Sequence, residues 1–266
     1  MLIAATRTLK LKQEAAVRYA MVHLLPGIMP LYIVNEYPKS GGSWLAQMLS
    51  EAIGVPFPRN QTPSIRPSIL HGHYLNGWGM KNVVVVWRDG RDVMVSWYYQ
   101  CLFTHQRGND HLVDAVRAEL QFQDYDDIRA NLPAFIGYSF THQKHPAFSW
   151  TDFWHRWYPR HDVVHVRYED LLANTAGELG RVYAELTGRS LSVERAAEIA
   201  EKFSFAQQTG RKPGDEDKTS FLRKGIAGDW RNHFSEEARI TFDRYAGAEL
   251  VASGYERDNS WLLSDR

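Results

Sequence analysis

The stretch "YPKSGGSW" at residues 37–44 constrains the fold more than any other part of the chain. Before it, "LYIV" from Leu31 to Val34 is short, apolar and β-prone; after it, "LAQMLSEAIG" has the spacing of an amphipathic helix that ends at Gly54. A strand therefore hands over to a helix N-terminus through a loop with one lysine and two glycines. Backbone N–H groups lack intrahelical partners there and the helix dipole presents its positive end, which attracts phosphate or sulfate. Lys39 adds a mobile cation, and Gly41 and Gly42 let the backbone approach an anion.

Further along, "NVVVVW" is an unbroken β-branched run of the kind a strand buried on both faces shows, and "DVMVSWYYQCLF" follows it as a helix. Residues 111–136 have a helical pattern with a break at "NLPAF". "SWTDFWHRWY" predicts a helix with an aromatic face, and "DVVHVRYEDL" a strand running into a loop. "TAGELGRVYAELTG" closes at Gly188, "SVERAAEIAEKF" opens with Ser192 as a cap, and the last helix, "SEEARITFDRYAGAELVASG", opens with Ser235. Two stretches without period, "VPFPRNQTPSIRPS" and "QQTGRKPGDEDKTSFLRKGIAGDW", are long loops. Strands alternating with helices predict an α/β domain with a mainly parallel sheet, whose ligands sit at the carboxyl ends of the strands. At 266 residues, 44% hydrophobic, one domain spanning 1–266 is the simplest organisation.

Thirty-one Lys and Arg balance thirty-one Asp and Glu, which argues against a nucleic-acid binder and makes any anion site local. The single cysteine, Cys101, excludes an intrachain disulfide and fits a reducing, cytoplasmic compartment. Residues 1–30 stand apart from the motifs: "RTLKLKQEAAVRYAMVHLL" is basic and loosely amphipathic. Packing on the domain is the ordinary outcome for such a helix, and lying on a membrane surface the alternative. The apolar run from Tyr19 to Val34 is too short and too broken by prolines to span a bilayer.

A nucleotide-phosphate loop of the GxxxxGK[ST] type puts its lysine after the glycines and a metal-binding hydroxyl beside it. Here the order is reversed, and "VVVVWRDGRD" brings Trp87 and Arg88 to the strand end before any carboxylate. Three stretches in order, "YPKSGGSW" at 37–44, "WRDGRDVMVSWYY" at 87–99 and "FLRKGIAGDWRNHF" at 221–234, resemble the cytosolic-type sulfotransferases that use 3′-phosphoadenosine 5′-phosphosulfate (PAPS). "VRYEDLL" at 166–172 belongs to the same resemblance, which runs from Leu31 to Phe234.

That resemblance implies an α/β domain of P-loop-like architecture around a parallel sheet. It implies that Lys39, Ser40, Gly41, Gly42, Ser43 and Trp44 cradle the 5′-phosphosulfate, with Trp44 near the adenine. Gly42 and Ser43 stand where many relatives carry two threonines. Arg88 and Ser96 match the pair holding the 3′-phosphate, and Arg223, Lys224 and Gly225 the motif that closes over it; Tyr168 and Phe205 match positions near the adenine. Arginine grips phosphate oxygens bidentately, so two of them would separate PAPS from ATP-like nucleotides. The implied reaction moves a sulfuryl group in line to a hydroxyl or amine of a small or medium-sized acceptor, with PAP as product and no metal required. Lys39 would stabilise the leaving oxygen. His73 in "ILHGHYL" is the best match for the family's histidine base, and the unperturbed pKa of a histidine, about 6.5, suits that task at neutral pH. His71, where many relatives carry a lysine, is the alternative base. Two histidines without further evident ligands make a poor zinc site.

Competing readings are a binding protein for PAP that lost catalysis and, more remotely, an ATP-dependent kinase. Asp89 and Asp92 read as helix-start charges, Arg91 as a surface residue, Trp150, Trp154 and Trp157 as core, and His161 and His165 as structural or surface groups. The family's dimer motif departs here at Arg231, Ser235 and Glu236, which leaves the oligomeric state open. The acceptor is unnamed; loops at 55–70, 100–112 and 137–150 would line its pocket.

Overall fold

A computed structural model describes residues 2–59, 61, 65–144 and 146–263, with side chains from residue 13 onward. By contacts the chain forms two compact units, each assembled from separate stretches. The first takes residues up to Glu36, Ser40–Trp87 and Arg160–Ser204; the second takes Tyr37–Lys39, Arg88–Pro159 and Phe205–Arg266.

The first unit holds the whole sheet: β1 (Leu31–Glu36), β2 (Ser68–Gly72), β3 (Val83–Trp87) and β4 (Val164–Arg167) in the order β2-β1-β3-β4, every neighbouring pair parallel. This is the α/β class with a parallel sheet that the sequence predicts. "VVVVW" is buried at all five positions, as a central strand requires. Val34, Val84, Val86, Val164 and Val166 pack in one cluster with Leu45, Met48 and Leu49 of α2 (Gly42–Ile53), Leu179 and Val182 of α8 (Thr175–Thr187) and Ile199 of α9 (Val193–Lys202). The buried positions of α2 recur at helical spacing, and Gly54 ends the helix in the left-handed conformation, accepting its role from the lack of a Cβ. Gly188 closes α8 and Ser192 caps α9 as expected. The first helix, α1 (Leu2–Leu24), buries Met21, Val22 and His23 at its end. No described helix is long and apolar enough to cross a membrane.

The second unit is helical: α3 (Gly90–Leu102), α4 (Asp110–Glu119), α5 (Ile128–Thr141), α6 (Trp150–Trp157), α10 (Phe205–Thr209) and α11 (Glu236–Ala252), with a 3-10 turn at Asp229–Asn232. Its core is aromatic: Tyr98, Phe135, Trp150, Phe153, Trp157, Phe234 and Phe242 are all buried, while Trp154 is half-buried. Gly90 is needed there, because a Cβ would stand 2.8 Å from Phe242 Cζ.

Three expectations are corrected. The helix break falls at 120–127 and not at "NLPAF", because Asp124 and Asp127 draw backbone N–H groups into a turn and a cap, and Pro133 is accommodated inside α5. β4 runs into a short helix, α7 (Tyr168–Ala173), and not a loop. Arg91 is 1% exposed: it pairs with Asp89 at 2.7 Å and Glu256 at 2.5 Å and lies 3.8 Å from the Trp230 ring centre. His165 is structural as expected, accepting from Trp87 Nε1 at 2.8 Å.

Candidate active site

The loop after β1 contributes Ser40–Trp44 to the first unit and Tyr37–Lys39 to the second. In the first unit Gly41 is the N-cap of α2 at φ 99°, and its missing Cβ matters twice: L-residues avoid that backbone, and a Cβ would stand 2.6 Å from Tyr168 Cδ2. Trp44 meets Tyr168 edge-on at 6.1 Å and anchors its Nε1–H on the Phe203 carbonyl at 2.8 Å. Ser40 is buried and Ser43 half-buried. Two aromatic rings and a glycine loop therefore stand together.

Glu36, the last residue of β1, organises the rest of this half. Its carboxylate accepts from Gly42 N–H at 2.5 Å and pairs with His71 Nε2 at 2.8 Å, while its carbonyl meets His73 Nδ1 at 2.9 Å. The two imidazoles are 5.2 Å apart. Burial alone would raise the Glu36 carboxyl, but the hydrogen bond and charge of His71, the charge of His73 and the Gly42 N–H outweigh it and hold the group below its ordinary range. With Nδ1–H donated to a carbonyl, a neutral His73 keeps its lone pair on Nε2, the form a general base uses. Glu36, His71 and His73 also place three donor atoms within 4.8 Å of one another, so the histidine pair does have a third ligand-type neighbour that the sequence did not reveal. Gly42 fits only because it lacks a side chain: a Cβ would stand 2.8 Å from Glu36 Cδ.

In the second unit Lys39 adopts φ 73°, a left-handed backbone that costs a non-glycine residue energy and is typical of ligand loops. Its Nζ donates to Gln100 Oε1 at 3.2 Å and lies 4.2 Å from the Phe221 ring centre. Arg88 is 9% exposed; it donates from Nη1 to the Lys39 carbonyl at 3.0 Å and from Nη2 to the Ile226 carbonyl at 3.2 Å. One guanidinium thus joins the lysine loop, the end of β3 and the "RKG" segment. Ser96 lies half-buried on α3. Gly225, at φ 66°, packs on Phe205, whose Cδ2 would be 2.4 Å from an added Cβ.

Two cations of this half, Arg223 and Lys224, are already engaged by carboxylates. Arg223 reaches Asp229 at 2.5 Å and also pairs with Glu216, and Lys224 reaches Asp229 at 2.7 Å. Burial would raise the Asp229 carboxyl, yet hydrogen bonds from His233, Lys224, Arg223 and Asn232 drive it far below the usual range. Asp92 is buried and accepts from the N–H groups of Gly228 at 2.6 Å and Trp230 at 2.8 Å, so it secures the "GDW" turn and does not merely complement the start of α3; burial raises its carboxyl. Asp89 does cap α3, accepting from Arg91 N–H. Of the loops expected to line an acceptor pocket, positions 60, 62–64 and 145 lie outside the described residues.

A family model described as "Sulfotransferase domain" matches residues 78–254. Zebrafish (Danio rerio) Sulfotransferase 6B1 is 23% identical over 83% of this chain and 80% of its own. Human (Homo sapiens) Sulfotransferase 2A1 is 29% identical over 80% of this chain and 81% of its own. Among solved structures, mouse sulfotransferase SULT7A1 complexed with PAP superposes with a TM-score of 0.62 and 18% identity, covering 88% of this chain and 87% of that one, a likeness of fold.

Proposed function

Since the chain belongs to the sulfotransferase domain family, we propose that residues 1–266 act as one sulfotransferase domain that moves the sulfuryl group of PAPS to a hydroxyl or amine of a small or medium-sized acceptor and releases PAP. The observation that carries this reading is the Arg88 guanidinium, which holds the carbonyls of Lys39 and Ile226 and so draws three distant motifs to one place. PAP is what the SULT7A1 structure is described as containing.

In-line transfer forms a bond from the acceptor oxygen to sulfur as the bond from sulfur to the leaving phosphate oxygen breaks. The protein must supply positive charge at the leaving oxygen and take a proton from the acceptor. Lys39 is the cation for the first task and His73 Nε2 the base for the second. Its Nδ1–H bond to the Glu36 carbonyl fixes the ring and the tautomer that places the lone pair on Nε2. Backbone and hydroxyl groups of Ser40–Ser43 take the 5′ anion. Trp44, Tyr168 and Phe205 supply aromatic faces for the adenine. Arg88, Ser96, Arg223, Lys224 and Gly225 take the 3′-phosphate, which exchanges with Asp229 for Arg223 and Lys224. This chemistry needs no metal, and the reducing cytoplasm is its compartment.

Calorimetric binding of PAP beside ADP, with and without magnesium, tests the reading. Magnesium-independent binding of PAP, abolished by Arg88→Ala, is expected, together with turnover lost in His73→Ala but retained in Cys101→Ser. Preference for magnesium-ADP would overturn it in favour of a kinase, and PAP binding without turnover of PAPS by any acceptor would leave only a binding protein.

A further inference from the structure

Nine large hydrophobic side chains are exposed among the described residues, and six fall within residues 17–78 of the first unit: Val17, Tyr19, Leu24, Ile28, Ile65 and Trp78. Their neighbours hold the region together. The Tyr19 ring lies 4.1 Å from His23, whose Nδ1 meets the Trp78 carbonyl at 2.5 Å. Gly79, at φ 73°, comes so close that a Cβ would stand 2.2 Å from the His23 carbonyl. Arg18 donates to the carbonyls of Arg59 at 2.5 Å and Gln61 at 2.9 Å, tying those two residues to α1. Leu24 follows the buried run Met21–His23, and the turn after it bonds Ile28 N–H to the Leu25 carbonyl. One side of the helix end therefore packs inward, while Tyr19 at 49%, Leu24 at 61%, Ile28 at 78% and Trp78 at 67% exposure face solvent.

The charge of the same region is one-sided. Residues 1–30 and 55–82 carry seven basic residues, Arg7, Lys10, Lys12, Arg18, Arg59, Arg66 and Lys81, against the single acid Glu14, in a chain whose totals balance at 31 and 31. Arg66 and Lys81 are exposed. Exposed isoleucine, leucine and tryptophan, with the exposed Lys81 ammonium 3.9 Å from where a Gly27 Cβ would stand, match a partner that is anionic at its surface and apolar just beneath it. A second copy of this chain would bring like charges face to face, and a nucleic acid would offer the aliphatic side chains nothing.

We infer that this region, the end of α1 with the turns bearing Ile28 and Trp78, is a docking surface for an anionic lipid bilayer, on which the protein rests without crossing. The inference stands independently of the sulfuryl-transfer chemistry.

Flotation of the full chain with phosphatidylcholine vesicles, with and without phosphatidylserine, tests it. The wild type should float with the anionic vesicles alone. Lys81→Gln should weaken binding about fivefold, the effect of about 1 kcal/mol per basic residue near an anionic surface. Ile28→Ser with Trp78→Ser should abolish it, and Val193→Ser, at a 77% exposed position on α9, should change nothing. Thermal melts of these surface variants should match the wild type, which separates lost binding from lost folding. Equal flotation with neutral vesicles, or unchanged flotation of the Ile28→Ser/Trp78→Ser variant, overturns the inference. So does sedimentation showing a dimer that those two substitutions dissociate, since the surface would then be covered by protein.

Discussion

Gly42→Ala would put a carbon 2.8 Å from Glu36 Cδ and 3.1 Å from its Cγ and Oε2, so the carboxylate must move. That carboxylate holds Gly42 N–H at 2.5 Å and His71 Nε2 at 2.8 Å. A hydrogen bond to a charged group contributes about 1.5–3 kcal/mol, and losing or stretching one of the two sets the scale of the damage. Against it stands the ordinary gain of alanine over glycine where the backbone is not left-handed, about 0.5–1 kcal/mol; Gly42 has no such backbone, unlike Gly41. The net expectation in the wild type is a loss of about 1–2 kcal/mol. In a Glu36→Ala background the clash is gone and the same substitution should stabilise, by about 0.5–1 kcal/mol. Urea unfolding of the wild type, both single variants and the double variant measures this as a coupling of about 2–3 kcal/mol with a reversal of sign. Additivity within about 0.5 kcal/mol would refute the linkage between Glu36 and the loop.

Asp229→Asn breaks a buried ion cluster around Arg223 and Lys224 and should cost about 3–5 kcal/mol of stability, read as a lowered urea midpoint. Because the Asp229 and Glu36 carboxyls are both lowered in the folded protein, their contributions are complete above the ordinary carboxylate range and lost as pH falls below about 5; acid titration should show stability falling there in the wild type and less steeply in Asp229→Asn. Cys101 is 2% exposed and burial pushes its thiol up, so a thiol-reactive dye should label it only after unfolding, and rapid native labelling would contradict the packing. A chelator should leave turnover unchanged, whereas added zinc should inhibit by occupying the Glu36, His71 and His73 donors; inhibition that persists in His71→Gln would place the metal elsewhere.

Much of this was legible because the informative signals were local. The strand–loop–helix around Lys39 follows from a β-prone run, two glycines and a periodic helix, and each appears where expected. Caps at Ser192 and Ser235 were readable for the same reason. β2 was not evident as a strand, since "SILHG" is short and polar at its end and owes its extended form to pairing with β1, whose register sets Val34 against His71. Arg91 looked like a surface residue because nothing nearby in sequence announces Glu256, 165 positions on. Glu36, Asp92 and Asp229 do not stand out in the sequence for a related reason: each carboxylate acts on partners that only the folded chain brings near.

The placement of β4 has a consequence for synthesis. β3 pairs with it through Val84 and Val164, positions 80 apart in the chain, whereas β1 and β2 both emerge early. A nascent chain that has just released β3 therefore carries a fully apolar strand with one edge bare until the ribosome delivers Val164. Such an edge invites pairing with other chains. At elongation speeds of about 5–20 residues per second the exposure lasts about 4–16 seconds, a window in which the bare edge is open to misassociation.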